Sequence, residues 1–146
     1  MFNEKNTVQE YICNILTTNP DSGIKWKRIS ATQLQRDETQ VLVEPILAQK
    51  LKEFNPEIEQ IPDRADEIIY RLIAAIESAN EVGLVRANEE FVKILKEPIS
   101  MPYGDKGKHI PIKIIDFEHP ENNELNVVTE FTVKLNEEIR ADIVLL

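Results

Sequence analysis

The sequence predicts an α+β fold, a helical N-terminal two-thirds followed by an antiparallel β-meander. Three observations predict it. From Val8 to Leu95 the apolar residues recur with a period near 3.6. From Ile99 onward the period drifts towards 2. Turn-forming clusters punctuate both parts, and 8 prolines against 4 glycines point to defined element ends rather than flexible linkers. At 146 residues the chain is expected to form a single domain, 1–146, around one core.

The first helix is expected to open at Thr7, with Thr7 as cap and Glu10 bonding back to it. Val8, Tyr11, Ile12, Ile15 and Leu16 form its apolar stripe, and Asn19 to Gly23 turns the chain. Lys25-Trp26-Lys27-Arg28 has two readings, a nucleic-acid contact or an amphipathic edge with Trp26 in the core. Ala31 to Gln40 reads as a loop with a helical turn. A helix should then begin near Pro45, tolerable only in a first turn, and stop at Asn55-Pro56. Val43, Ile46, Leu47, Leu51 and Phe54 are its stripe. The next helix starts at Ile61-Pro62-Asp63, with Asp63 as cap. It carries the clearest stripe, Ala65, Ile68, Ile69, Leu72, Ile73 and Ile76, and Asn80 to Gly83 breaks it. A short helix from Asn88 to Lys96 closes at Pro98.

Met101 to Tyr103 and His109 to Ile115 then read as a hairpin turning at Gly104-Asp105-Lys106-Gly107. Pro111 marks an edge or a strand end. Asp116 to Asn126 is a polar loop. Val127, Phe131, Val133 and Leu135 alternate with polar residues as a half-buried strand, and Asn136-Glu137-Glu138 turns into a last strand running to Leu146. The final apolar run, Ile143 to Leu146, is long enough for a buried strand and too short to span a membrane.

Composition narrows the function classes. Hydrophobic residues make up 42% and charged residues 29%, a globular balance. The net charge of −9 opposes simple binding to a nucleic-acid backbone. Acids crowd the region 116–142, where only Lys134 and Arg140 are basic, as a solvated surface or as carboxylates converging on a metal. The single cysteine, Cys13, makes no intrachain disulfide and suits a reducing cytoplasm. No apolar segment follows Met1 as in a secretory leader, so a cytoplasmic, membrane-free protein is expected.

Most enzyme motifs are absent: no glycine-rich phosphate loop, no Cys-x-x-Cys, no Gly-x-Ser-x-Gly and no His-Glu-x-x-His. Cys13, His109 and His119 are scattered, and His119 reads as a solvent-facing turn residue. Asp142 stands out. An acid in a strand that becomes fully apolar costs free energy unless it is hydrogen-bonded, paired or metal-bound. Either it faces outward, paired with Arg140, or it is a hard-oxygen ligand for Mg²⁺.

Three segments then fall in a telling order. Ile114-Ile115-Asp116-Phe117-Glu118-His119-Pro120-Glu121-Asn122-Asn123 comes first, Val127-Val128-Thr129-Glu130-Phe131-Thr132-Val133 second and Ile139-Arg140-Ala141-Asp142-Ile143-Val144-Leu145 third. This order resembles the N-terminal domain of the R (restriction, motor) subunit of type I restriction-modification enzymes. Val41-Leu42-Val43-Glu44, leading into the helix that ends at Asn55-Pro56, also fits. The resemblance implies a PD-(D/E)xK endonuclease core that cuts double-stranded DNA with Mg²⁺, in complex with modification and specificity subunits. Asp142 matches the metal-binding Asp. A Glu-x-Lys on a following strand would complete the site. The chain ends before it, so a truncated core is expected, inactive in isolation. ATP would serve only motor domains absent from this chain. The family's first helix often supplies a further acid, to which Gln9 or Glu10 corresponds; Glu10 is taken as the second catalytic candidate. Two positions depart from the pattern: Ala141 stands where the family has Pro, and Glu130 where it has Gln. The alternatives are a non-catalytic stand-alone binding module of the same fold, or a free-standing nuclease.

Overall fold

The computed structural model describes residues 4–18, 24–61, 63–134 and 137–146. In chain order its elements are helix α1 (Glu4–Thr18), strand β1 (Lys27–Ser30), helices α2 (Glu44–Phe54), α3 (Pro56–Glu59), α4 (Asp63–Glu77), α5 (Ala79–Val82) and α6 (Leu84–Lys96), and strands β2 (Ile99–Met101), β3 (Ile110–Ile112), β4 (Asn126–Lys134) and β5 (Glu138–Leu145). The α+β class is as the sequence predicts, helices mostly before strands. Contacts divide the chain into two compact units, Met1–Val43 with His119–Leu146, and Glu44–Glu118.

The first unit holds α1 and a three-stranded sheet of order β1-β4-β5. β4 and β5 pair antiparallel, and β1 joins β4 in parallel, with Lys27 opposite Asn126 and Ser30 opposite Thr129. β4 is the central strand, and its Asn126, Val127, Val128 and Phe131 are buried. α1 begins at Glu4, so Thr7 lies in its first turn rather than at its cap. Its expected stripe also largely faces out. Val8 is 59% exposed and Tyr11 66%, whereas Cys13 is fully buried and Gln9 and Leu16 are half-buried. The line at offsets 0, 4 and 7 faces inward instead. Periodicity marks an apolar line but not which side of a helix a small sheet covers. The turn expected at Asn19–Gly23 lies outside the described residues, as do Pro62, Leu135 and Asn136.

The second unit is built on α4, whose Ala65, Ile68, Ile69 and Leu72 are buried as its stripe predicts, while Ile73 and Ile76 are half-buried and Ala75, outside the stripe, is buried. Each large aliphatic side chain fully withdrawn from water contributes about 1.5–3 kcal/mol before entropy is counted. Pro45 sits in the first turn of α2, as its missing N–H requires. Asn55 ends α2 and is itself buried. Its Nδ2 donates to Leu51 O at 2.9 Å and Lys113 O at 2.7 Å, and its Oδ1 accepts from Lys113 N at 2.8 Å. The side chain thus pairs with backbone as a strand residue would. α6 starts earlier than the sequence suggests, at Leu84 rather than Asn88. Gly83, at φ 88°, supplies the left-handed residue that separates it from α5. β2 and β3 form the expected hairpin. Tyr103 is buried, donates its hydroxyl to Glu67 and lies beneath Arg64, whose Cζ is 4.4 Å from the ring centroid.

Candidate functional site

Asp142 lies in β5, at one edge of the three-stranded sheet. Ala141 and Ile143 on either side are half-buried, and Asp142 is exposed. The alternation of a strand with one covered face puts the acid on the solvated side. Arg140, two residues earlier, shares that side. Its Nε lies 2.8 Å from Glu130 Oε2 on β4, an ion pair rather than an aligned hydrogen bond, and the arginine stays 55% exposed.

The ladder beneath Asp142 is broken at one position. Val127 to Thr129 pair with Leu145 to Ile143, and Phe131 to Lys134 pair with Ala141 to Glu138. The register is the same on both sides, and Glu130 opposite Asp142 is the pair left out. Glu130 has φ 59°, a left-handed conformation unusual for a residue with a side chain and more so within a strand.

Antiparallel strands alternate hydrogen-bonded and non-bonded pairs. Asn126 and Leu146 exchange both of their backbone bonds, at 2.7 and 2.8 Å. Further along β4, Lys134 N donates to Glu38 O at 2.8 Å rather than to its register partner Glu138, so the alternation does not run unchanged to the end of the strand. Asp142 O accepts a bond from Gln9 Nε2 of α1 at 2.8 Å.

Glu10, the neighbouring residue on α1, is engaged elsewhere. Its two carboxylate oxygens accept from Arg28 of β1, Oε2 from Nη1 at 2.7 Å and Oε1 from Nη2 at 2.6 Å. These bonds hold the Glu10 carboxyl below its ordinary range and raise Arg28 above its own. α1 is therefore tied to both edges of the sheet, by Gln9 to β5 and by Glu10 to β1. Of the two helix residues singled out from sequence, Gln9 is the one that reaches Asp142.

The donor set bears on Mg²⁺, which accepts one or two protein carboxylates and fills its octahedron with water and phosphate oxygens. Asp142 fits as a single hard-oxygen donor on an exposed strand face. Among the described residues no group of three or more His, Cys, Asp or Glu side chains is arranged to hold a metal ion. The sequence contains no Glu-x-Lys.

Cys13 is buried. His109 has Nδ1 3.3 Å from Ser100 Oγ on the hairpin, and His119 is exposed beside a short 3-10 turn at Pro120–Asn122. Lys27 and Arg28 are exposed on β1 and Trp26 before it is half-buried. Asp116 is buried, with Lys113 Nζ at 3.5 Å.

Arg36 was not marked by any pattern in the sequence. Its Nη1 donates to Asp37 O at 3.0 Å and Gln40 O at 2.6 Å, and its Nη2 donates to Thr132 O. Its Cζ stacks 3.8 Å from the Phe131 ring centroid. Burial lowers its pKa from the ordinary arginine value. Arg36 thus grips β4 immediately after the twisted Glu130. A lone arginine in a polar loop reads as solvated, and only its tertiary partners distinguish it.

No helix among the described residues is long and apolar enough to cross a membrane. No curated protein matches the chain, and no solved structure matches it. The family model described as type I restriction enzyme R protein N terminus matches residues 1–146, and the chain belongs to that family.

Proposed function

We propose that this chain forms part of the DNA endonuclease domain of a type I restriction enzyme R subunit, with Asp142 as a ligand for the catalytic Mg²⁺. The observation that carries the reading is Asp142 itself: the one acid in the run Ala141 to Leu146, exposed on an edge strand opposite a backbone break. Asp142 presents the carboxylate, and Gln9 fixes its backbone. Glu130 holds Arg140 beside it, where a guanidinium suits a phosphate. Bound Mg²⁺ would activate a water and offset charge developing on the scissile phosphate. Glu10 is the second candidate acid, paired with Arg28 of β1.

The substrate of this reading is double-stranded DNA. The modification and specificity subunits are its partners and the cytoplasm its location. ATP is used by motor domains outside this chain. The Glu-x-Lys half of the site is not in the sequence, so the 146-residue chain alone does not cut. The net charge of −9 favours a second reading, a non-catalytic module that binds protein partners.

Plasmid cleavage by the assembled enzyme carrying Asp142→Asn separates the two. The nuclease reading expects ATP hydrolysis to continue while cutting is lost. Cutting at the unmodified rate would overturn it. Supercoiled plasmid incubated with the isolated chain and Mg²⁺ should stay unnicked. Nicking that disappears in Asp142→Ala would show that the chain holds a complete site.

A further inference from the structure

We propose that Glu130 is a second carboxylate ligand for the divalent cation at Asp142, so that two adjacent strands of this chain supply two of its oxygen donors. The proposal deepens the nuclease reading and rests on it for the role of Asp142.

The argument starts from register. Thr129 pairs with Ile143 and Phe131 with Ala141, so Glu130 stands opposite Asp142 on the neighbouring strand. Like charges opposite one another across two strands are destabilising unless a cation offsets them. The two side chains also share one side of the sheet. Asp142 and Arg140 lie two residues apart on β5 and project the same way. Glu130 reaches Arg140 on that side, with Oε2 2.8 Å from Nε.

The nearby bases offset the two acids only in part. Arg140 is one base against two acids and is 55% exposed, and its contact with Glu130 is an ion pair without an aligned hydrogen bond. An exposed pair of that kind contributes little. Lys134, the base on β4, is held by Glu38 at 2.6 Å and lies 3.6 Å from Glu138. The Glu130 side chain is 43% exposed as a whole, yet its Oε2 is withdrawn from water and accepts no hydrogen bond. A buried carboxylate oxygen with lone pairs to give, beside a second carboxylate, is an arrangement that a bound ion satisfies. Magnesium accepts one or two protein carboxylates and fills its octahedron with water and phosphate oxygens. Glu130 and Asp142 make the two, and the other positions fall to water and substrate.

Mn²⁺ is the paramagnetic probe for this site. Its binding to the 146-residue chain is titrated by water-proton relaxation, without DNA, in the wild type, Glu130→Gln, Glu130→Asp and Asp142→Asn. The wild type should bind Mn²⁺ and lose by broadening the amide resonances flanking both Glu130 and Asp142. Glu130→Gln keeps the shape of the side chain and Glu130→Asp keeps its charge. Each should weaken binding by about tenfold or more, and Asp142→Asn by at least as much. Undiminished affinity in Glu130→Asp would mean that Glu130 acts through charge alone and overturns the proposal. Undiminished affinity in Glu130→Gln also overturns it and leaves Asp142 as the ligand. A wild-type chain that binds no Mn²⁺ overturns it too. Wild-type affinity in Asp142→Asn overturns the reading of Asp142 as well.

Discussion

Arg36 shows how much one side chain can decide without announcing itself. It satisfies three carbonyls and covers the Phe131 ring, work that needs a planar fork of donors. Lysine keeps the charge but neither the fork nor the stacking. Arg36→Lys should therefore lower unfolding stability by about 1–3 kcal/mol, read from the urea midpoint at constant slope. An unchanged midpoint would mean that those carbonyls are served by water. Tyr103 offers a second measurement. Burial, and next the hydrogen bond it donates to Glu67, push its phenol up to about 12 from an ordinary value of 10.0. A raised pKa contributes stability that is complete below 10.0 and is lost as pH rises through about 12. Spectrophotometric titration should show a phenol ionising near 12 that Tyr103→Phe removes. Its persistence in that variant would assign it to another tyrosine.

Among the elements, α4 was the most legible because its six stripe residues sit at helical spacing, and a helix with one covered side buries four of them and half-buries Ile73 and Ile76. α1 has an equally regular stripe, yet the structure turns much of it outward and buries Cys13. The deciding contacts, Glu10 with Arg28 and Gln9 with Asp142, join residues 18 and 133 positions apart. No local pattern encodes such pairs. The end of α2 was legible through Asn55-Pro56, but the task of the asparagine was not. Asn55→Ala leaves the Lys113 N–H and carbonyl without their partner and should cost about 1–3 kcal/mol, measured by denaturant unfolding. A cost near zero would show that water replaces the amide. The Glu10–Arg28 tie predicts an acid response. The Glu10 pKa lies below its ordinary 4.5, so its contribution is complete above 4.5 and fades as pH falls through the lowered value. Hydrogen exchange of α1 amides should accelerate over that acid interval, and Glu10→Gln should abolish the change. A response retained by Glu10→Gln would place its origin in another carboxylate.

For the molecule as a whole, the α+β class, the hairpin and the final antiparallel pair followed from periodicity and turn residues. The parallel pairing of β1 with β4 did not, since it joins segments about a hundred residues apart and no turn signals it. Asp142 was visible as an acid out of place in an apolar strand. The backbone break opposite it was not, because nothing in the residue type of Glu130 foretells φ 59°. The two units, each with its own buried residues, also run across the order of the chain, the first formed from both ends of the sequence. The central claim is that Asp142 holds the catalytic metal. It is tested most directly by the Mg²⁺ dependence of plasmid cutting in the assembled enzyme carrying Asp142→Glu. A longer carboxylate keeps the charge but misplaces its oxygens. The Mg²⁺ concentration for half-maximal cutting should rise several-fold, or cutting should be lost, with ATP hydrolysis unchanged. Cutting with the wild-type Mg²⁺ dependence would contradict the claim.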